Sequence, residues 1–278
     1  MTVGDWGNVL EDFKGSLAAR EKSPTTVKCY ARNVGKFIDF LQKNNESCPT
    51  RQNILAYKEY LLGKYKAASA NIYLISLNVF LRFLGEHDLR VKTLRIQRKT
   101  SLNNVISEEE YRRMLENALK KRSKKLYFLI RTLAAGGIRV GELQHITVDM
   151  LKKSYVMVES KRKVREIRLP DRLREELLTY CAENDIRNVV FCGRDPNKML
   201  HTSYIWTELK KLARLSGVPG EKVYSHVFRH LFAKKFISQF QDIAELADIL
   251  GHSSIETTRI YTRTTAHEKQ LRLNSMNL

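Results

Sequence analysis

Five side chains in the later part of this 278-residue sequence combine types suited to attack on a phosphodiester: Arg139 in GGIRVGEL, His226 and Arg229 in SHVFRH, His252 in LGHSS and Tyr261 in ETTRIYTR. A phosphodiester carries negative charge that grows denser in the pentavalent transition state, and preorganised cationic donors on its non-bridging oxygens stabilise that change. Arginine suits the task because its fork is planar and permanently charged. A phenol, with an ordinary pKa of about 10, is a weak nucleophile while neutral, and nearby positive charge favours its ionised form. An arginine-rich pocket is therefore expected both to hold the phosphate and to prime Tyr261. Two guanidiniums, two imidazoles and a phenol serve peptide or sugar chemistry poorly, so the set points to DNA strand cleavage.

These groups need elements that converge. Phe228, Leu231, Phe232 and Phe236 recur at helical spacing behind Ser225, a good N-cap, which predicts a helix with His226 and Arg229 together on its outward face. Asp242 to Leu250 predicts a helix stopped by Gly251, and Ser253 with Glu256 predicts a capping box that opens a helix carrying Tyr261. His252 then falls in the tight turn between two helix ends. Upstream, Gly136-Gly137 breaks a helix just before Arg139, and Val140 to Ile146 resumes helical spacing with Glu142 one turn from Arg139, where its carboxylate can pair with the guanidinium.

Each piece has an ordinary explanation alone. Arg-x-x-Glu on a helix is usually a surface ion pair. His226 and His230 at i, i+4 suggest a metal site, yet no third ligand lies nearby in sequence and none is expected to bind. Most tyrosines at helical spacing are packing residues. Taken jointly, the five types in this order and spacing favour the chemical reading.

The segments GGIRVGEL, HVFRH and LGHSSIETTRIY resemble the three signature boxes of the tyrosine recombinases, the integrase and Xer-like family, in order and in spacing. The resemblance covers the C-terminal two thirds strongly and the helical N-terminal part more loosely, including its Ser-Pro-Thr-Thr start. It implies that Tyr261 is the nucleophile, that Arg139 and Arg229 clamp the phosphate, and that His226 and His252 assist proton transfer and hydrogen-bond the phosphate. It also implies a general-acid lysine on a β-hairpin between the first two boxes. Tyr155 to Val158 and Val164 to Leu169 read as two strands around a polar turn Lys161-Arg162-Lys163, without the glycine usual in the family. Aligning Arg165-x-Ile167-x-Leu169 selects Lys161, with Lys163 as the alternative. The implied fold is mainly α with a small antiparallel β-sheet: a helical core-binding (SAM-like) domain at 1–88, a basic linker at 89–105, and an α+β catalytic domain with a C-terminal tail at 106–278.

Composition agrees with a nucleic-acid partner. The formal net charge is +19; Lys152 to Arg174 holds nine Lys or Arg against three acids, and Arg90 to Lys99 holds five with no acid. In the N-terminal part, one amphipathic helix is expected through Thr25, Val27, Tyr30, Val34, Phe37, Ile38 and Leu41, a second through Ile54, Tyr57 and Leu61, and a third through Ile72, Ile75, Val79, Phe80 and Phe83. Ser107 and Glu110 predict a capping box. Cys29, Cys48, Cys181 and Cys192 form no Cys-x-x-Cys pair, so a reducing cytoplasm is the expected setting. No apolar run of about 18 residues predicts a membrane span, and no Gly-x4-Gly-Lys loop predicts nucleotide binding. No cofactor is expected: if cleavage stores the bond as a 3′-phosphotyrosine, a free 5′-hydroxyl can reseal the DNA without ATP, and guanidiniums supply the charge a divalent ion supplies elsewhere. The resemblance implies duplex DNA with paired recombination sites as partner and a homotetramer on that DNA. Leu271, Leu273, Met276 and Leu278 give the tail enough apolar surface to dock in a groove; the residues alone favour a groove of its own domain, whereas the resemblance implies one on a neighbouring subunit. The alternatives are a catalytically silent DNA-binding or architectural protein, and a type IB topoisomerase-like enzyme that cuts and reseals one duplex.

Overall fold

The computed structural model describes residues 6–96, 105–121, 123–160, 163–224, 226–252, 254–261 and 274–275. The chain divides into two compact units, Met1–Arg98 and Lys99–Leu278.

The first unit is helical: α1 (Trp6–Ala19), α2 (Pro24–Lys43), α3 (Arg51–Lys64) and α4 (Ala67–Phe83). Ser23 caps α2 ahead of Pro24, whose missing N–H costs nothing in the first turn, and Thr50 opens α3 through a capping box with Asn53. Phe13, Val34, Phe37, Leu41, Ile54, Tyr57, Leu61, Leu74, Leu77 and Phe80 close the core. The α4 stripe differs from expectation. Ile72 and Ile75 are 50% and 43% exposed, and the buried face runs through Ala70, Leu74, Leu77, Phe80 and Leu81. Apolar residues on more than one side of α4 leave two possible stripes, and contact with α2 selects one, where Asn33 donates to Ser76 at 3.0 Å. The start of the expected linker also behaves differently. Val91 is buried in this core, and the side chains of Asn78 and Asn71 each bond both backbone groups of Val91 and Leu94 at 2.8–2.9 Å. Residues 97–104 lie outside the described residues.

The second unit runs α5 (Glu108–Lys120), α6 (Lys124–Gly136), a 3-10 helix (Val140–His145), α7 (Val148–Lys153), β1 (Tyr155–Ser160), β2 (Lys163–Arg168), α8 (Asp171–Glu183), α9 (Thr202–Leu215), α10 (Val227–Phe240), α11 (Ile243–Leu250), α12 (Ile255–Thr258) and a 3-10 turn (Arg259–Tyr261). The capping box at Ser107 is present, with Ser107 and Glu110 exchanging bonds of 3.1 and 2.8 Å. The core gathers Phe128, Leu129, Ile130 and Leu133 of α6, Leu209 and Leu212 of α9, and Val227, Phe228 and Leu231 of α10. β1 and β2 form an antiparallel pair, with Val158 opposite Arg165 and Ser160 opposite Lys163. Lys163, read from sequence as turn, is therefore a strand residue, and two positions separate the strands. Val158 and Ile167 face the core, whereas Tyr155, Met157 and Val164 face outward. Among the described residues no helix is long and apolar enough to cross a membrane.

Candidate active site

Arg139 sits where α6 gives way to the 3-10 helix. Gly137 makes this turn with φ of +54°, and a Cβ there would lie 2.5 Å from the Phe232 ring. The backbone N–H and guanidinium of Arg139 donate to the two carboxylate oxygens of Glu142 at 2.7 and 2.8 Å. The expected pairing is thus present, in 3-10 rather than α geometry. One Glu142 oxygen also accepts from Arg165 at 2.6 Å. Burial acts to raise the Glu142 pKa, but hydrogen bonds from Arg165 and Arg139 outweigh it and hold the carboxyl below its ordinary range.

Arg229 differs from the outward placement expected of it. It is 3% exposed, because α10 lies against α6, α11 and the turn carrying Tyr261, leaving that face little access to water. Its guanidinium donates to the carbonyl of Gly137 at 2.8 Å and to the carbonyl of Leu250. Burial, then the neighbouring Arg139 and Arg165, lowers its pKa to about 10, so it stays charged at neutral pH. His226 stands at the N-cap position of α10 without a capping bond from its side chain, Ser225 lying outside the described residues. It lines an open cavity of about 500 Å³ with Arg139, Glu142, Thr202 and Trp206. Lost hydration on its packed side, then Arg229 and Arg139, lowers its pKa below the ordinary histidine value.

Gly251 ends α11 with φ of +61°, as the sequence predicts, and the His252 N–H turns back to the Ala247 carbonyl at 2.9 Å. The His252 ring Nδ1 lies 2.8 Å from Thr258 Oγ1. Burial first, then Arg229, Arg139 and Arg165, brings its pKa to about 4, a neutral imidazole at physiological pH. The next helix is capped by Ser254 and not by Ser253, which lies outside the described residues; Ser254 accepts from the Glu256 N–H at 3.3 Å.

Tyr261 overturns the expectation of a primed phenol. It is 7% exposed among Ala233, Leu246 and Leu250, and burial raises its pKa to about 12 against the opposing pull of Arg229. Loss of hydration around a phenolate exceeds what one guanidinium returns. Its hydroxyl lies 2.6 Å from His230 Nδ1, and burial, His226 and Arg229 bring the His230 pKa to about 4. The bond therefore joins two neutral groups. His230, whose spacing from His226 suggested a ligand pair, is the phenol's partner instead.

Lys161 lies outside the described residues, and Lys163 stands in β2. Arg139, His226, Arg229, His252 and Tyr261 converge in the second unit. The sequence reading used Arg165 only to align a strand, weighed His230 only as a metal ligand, and did not single out Trp206, which lines the cavity beside His226. Alternation would have found Arg165, since it shares a strand face with Ile167 and hence sits inward.

Residues 104–268 match the Phage integrase family, and residues 9–90 match the Phage integrase, N-terminal SAM-like domain. The tyrosine recombinase XerA of Pyrococcus furiosus is 28% identical over 97% of this chain and 94% of its own length. A crystal structure of XerA recombinase is similar with a TM-score of 0.54 at 26% identity, covering 99% of this chain and 100% of that one. A lambda integrase tetramer bound to a Holliday junction shares the fold with a TM-score of 0.69 at 20% identity, covering 94% of this chain and 79% of that one. Since the first of these matches spans more than half of the sequence and contains all five converging side chains, the chain belongs to the phage integrase family.

Proposed function

We propose that the protein is a tyrosine-type site-specific recombinase that cuts and rejoins duplex DNA at paired sites through a 3′-phosphotyrosyl intermediate and a Holliday junction. The observation that carries the reading is that Arg139 and Arg229 act together on His226 and His252, and Arg229 in turn on Tyr261, in a chain of the phage integrase family. Tyr261 Oη gives up its proton to a neutral imidazole of the site and attacks phosphorus, the bond to the 5′ oxygen breaks, and Lys161 gives that oxygen its proton. Arg139 and Arg229 bind the non-bridging oxygens; Arg229 uses two donors on carbonyls and keeps its other N–H groups for phosphate. His226 and His252, neutral at physiological pH, hydrogen-bond the phosphate without adding full charge. Reversal by an incoming 5′-hydroxyl from a second duplex reseals the strand and frees the tyrosine. In the free protein Tyr261 is held against His230, so DNA entry has to break that bond before attack.

A homotetramer on two paired sites fits the similarity to the junction-bound lambda integrase. The tail expected to link neighbouring subunits lies, apart from residues 274–275, outside the described residues. The domain division proposed from sequence, 1–88, 89–105 and 106–278, is kept for function, with the docked Val91 and Leu94 extending the first domain's packed surface. The test is a nicked suicide duplex carrying the cognate site, selected from a random pool by binding. The unchanged protein should form a covalent adduct on a denaturing gel, whereas Tyr261→Phe should bind and form none. An adduct of equal yield in that variant would move the nucleophile elsewhere.

A further inference from the structure

Arg165 is a buried cation with no place in the chemistry above. It is 7% exposed, yet it donates to Glu142 at 2.6 Å and to the Ile249 carbonyl, and its Nε is buried with no partner among the described residues. Its aliphatic stem passes beneath Gly251, where a Cβ would lie 2.5 Å from Cδ. One side chain thus ties together the hairpin, the Arg139 segment and the turn that presents His252. Stability alone accounts for this poorly. Burying an ion pair costs desolvation that well-packed apolar residues avoid, and an unpartnered Nε adds to the cost. The Glu142 oxygen that Arg165 holds is the one that accepts the Arg139 backbone N–H, and the other oxygen holds the Arg139 guanidinium. With Arg165 removed, Glu142 keeps its partners on one side only and is free to turn.

We propose that Arg165 is a positioning residue that fixes Arg139 on the scissile phosphate by pinning Glu142 from the opposite side. The inference rests on the recombinase reading, and its signature is electrostatic. If Arg165 acts through Arg139, its loss matters because the transition-state charge is less well balanced. A methylphosphonate at the scissile position has a methyl group in place of one non-bridging oxygen and is neutral, so it removes that demand.

The experiment measures single-turnover adduct formation by Arg165→Met on the selected suicide duplex, with either a phosphodiester or a methylphosphonate at the mapped cleavage position. Adduct formation by the unchanged protein on the phosphodiester is the control; its absence would sink the recombinase reading and this inference with it, whereas an adduct with the wrong variant pattern would sink this inference alone. On the phosphodiester Arg165→Met is expected to slow cleavage by about 100-fold, the scale of losing one preorganised donor. On the methylphosphonate it should come within a few-fold of the unchanged protein. Glu142→Gln combined with Arg165→Met should be no slower than the slower single variant, because both act on one element. Equal slowing on both substrates, or additive effects in the double variant, would overturn the proposal. So would rescue of Arg165→Met by a 5′-bridging sulfur, since that places its action on the departing oxygen. If Arg165→Met does not fold, Arg165→Lys retains the charge without the two-sided reach and should show the same substrate pattern.

Discussion

A phenol raised to about 12 should be silent in a titration where ordinary tyrosines respond. Between pH 8 and pH 10.5 a tyrosine of ordinary pKa goes from about 1% to about 75% ionised, whereas Tyr261 should reach only about 3%. The absorbance of the unchanged protein minus that of Tyr261→Phe, followed at the tyrosinate band, should therefore stay flat across this window. The same shift has a thermodynamic counterpart. The folded pKa lies above the unfolded value, so the unfolded chain releases its proton first, and stability falls as pH rises through 10. From pH 8 to 10.5 the loss attributable to Tyr261 is about 0.8 kcal/mol, and Tyr261→Phe should escape it in urea titrations. A tyrosinate step centred at or below 10 in the free protein would refute the reasoning. It would mean that the guanidiniums outweigh burial, and that the nucleophile waits already primed.

Further outcomes follow from the same geometry. His230 and His252, folded pKa about 4 against an unfolded value near 6.5, confer stability that is complete above pH 6.5 and lost as pH falls towards 4. That loss is on the order of 2 kcal/mol per histidine after allowance for solvent at the ring edge, and His230→Phe should flatten the acid limb measured by urea unfolding. Gly251→Ala should destabilise by about 2 kcal/mol or more in thermal melts, since it combines φ of +61° with a clash on Arg165; an unchanged melting temperature would remove the constraint. If Lys161 is the general acid, a bridging 5′ sulfur should restore cleavage by Lys161→Ala, because a thiolate leaves without a proton. Rescue confined to Lys163→Ala would transfer the role to the strand residue opposite Ser160.

Short-range signals were the legible ones. Ser107 with Glu110, Asp242 ahead of α11, and the glycines at 137 and 251 mark helix ends because caps and left-handed residues act within a few positions. The hairpin and the Arg139–Glu142 pair were legible for the same reason. Burial of Arg229 was not, since helical spacing orders residues around an axis without saying how many sides other elements will cover. The direction of the Tyr261 shift failed similarly: sequence supplies the arginines but not the apolar wall of Ala233, Leu246 and Leu250. Ile72 and Ile75 show the reverse error, an apolar pair left facing water by the choice of stripe on α4.

Arg229 holds one more consequence, in how its charge is anchored. Arg139 is tethered by a carboxylate that cancels much of its field, whereas the Gly137 and Leu250 carbonyls that hold Arg229 lie at the C-terminal ends of α6 and α11. Each such end carries only a fractional negative charge of about half a unit at most. Arg229 is thus fastened by main chain on two sides, at positions where side-chain replacement alters no acceptor. A lysine that bonded both helix ends would keep a single N–H, without the planar fork that lets arginine aim two donors outward. The arrangement splits the labour between the two cations: one is adjustable through its acid partner, while the other is built into the ends of two helices and changes only if the helices move.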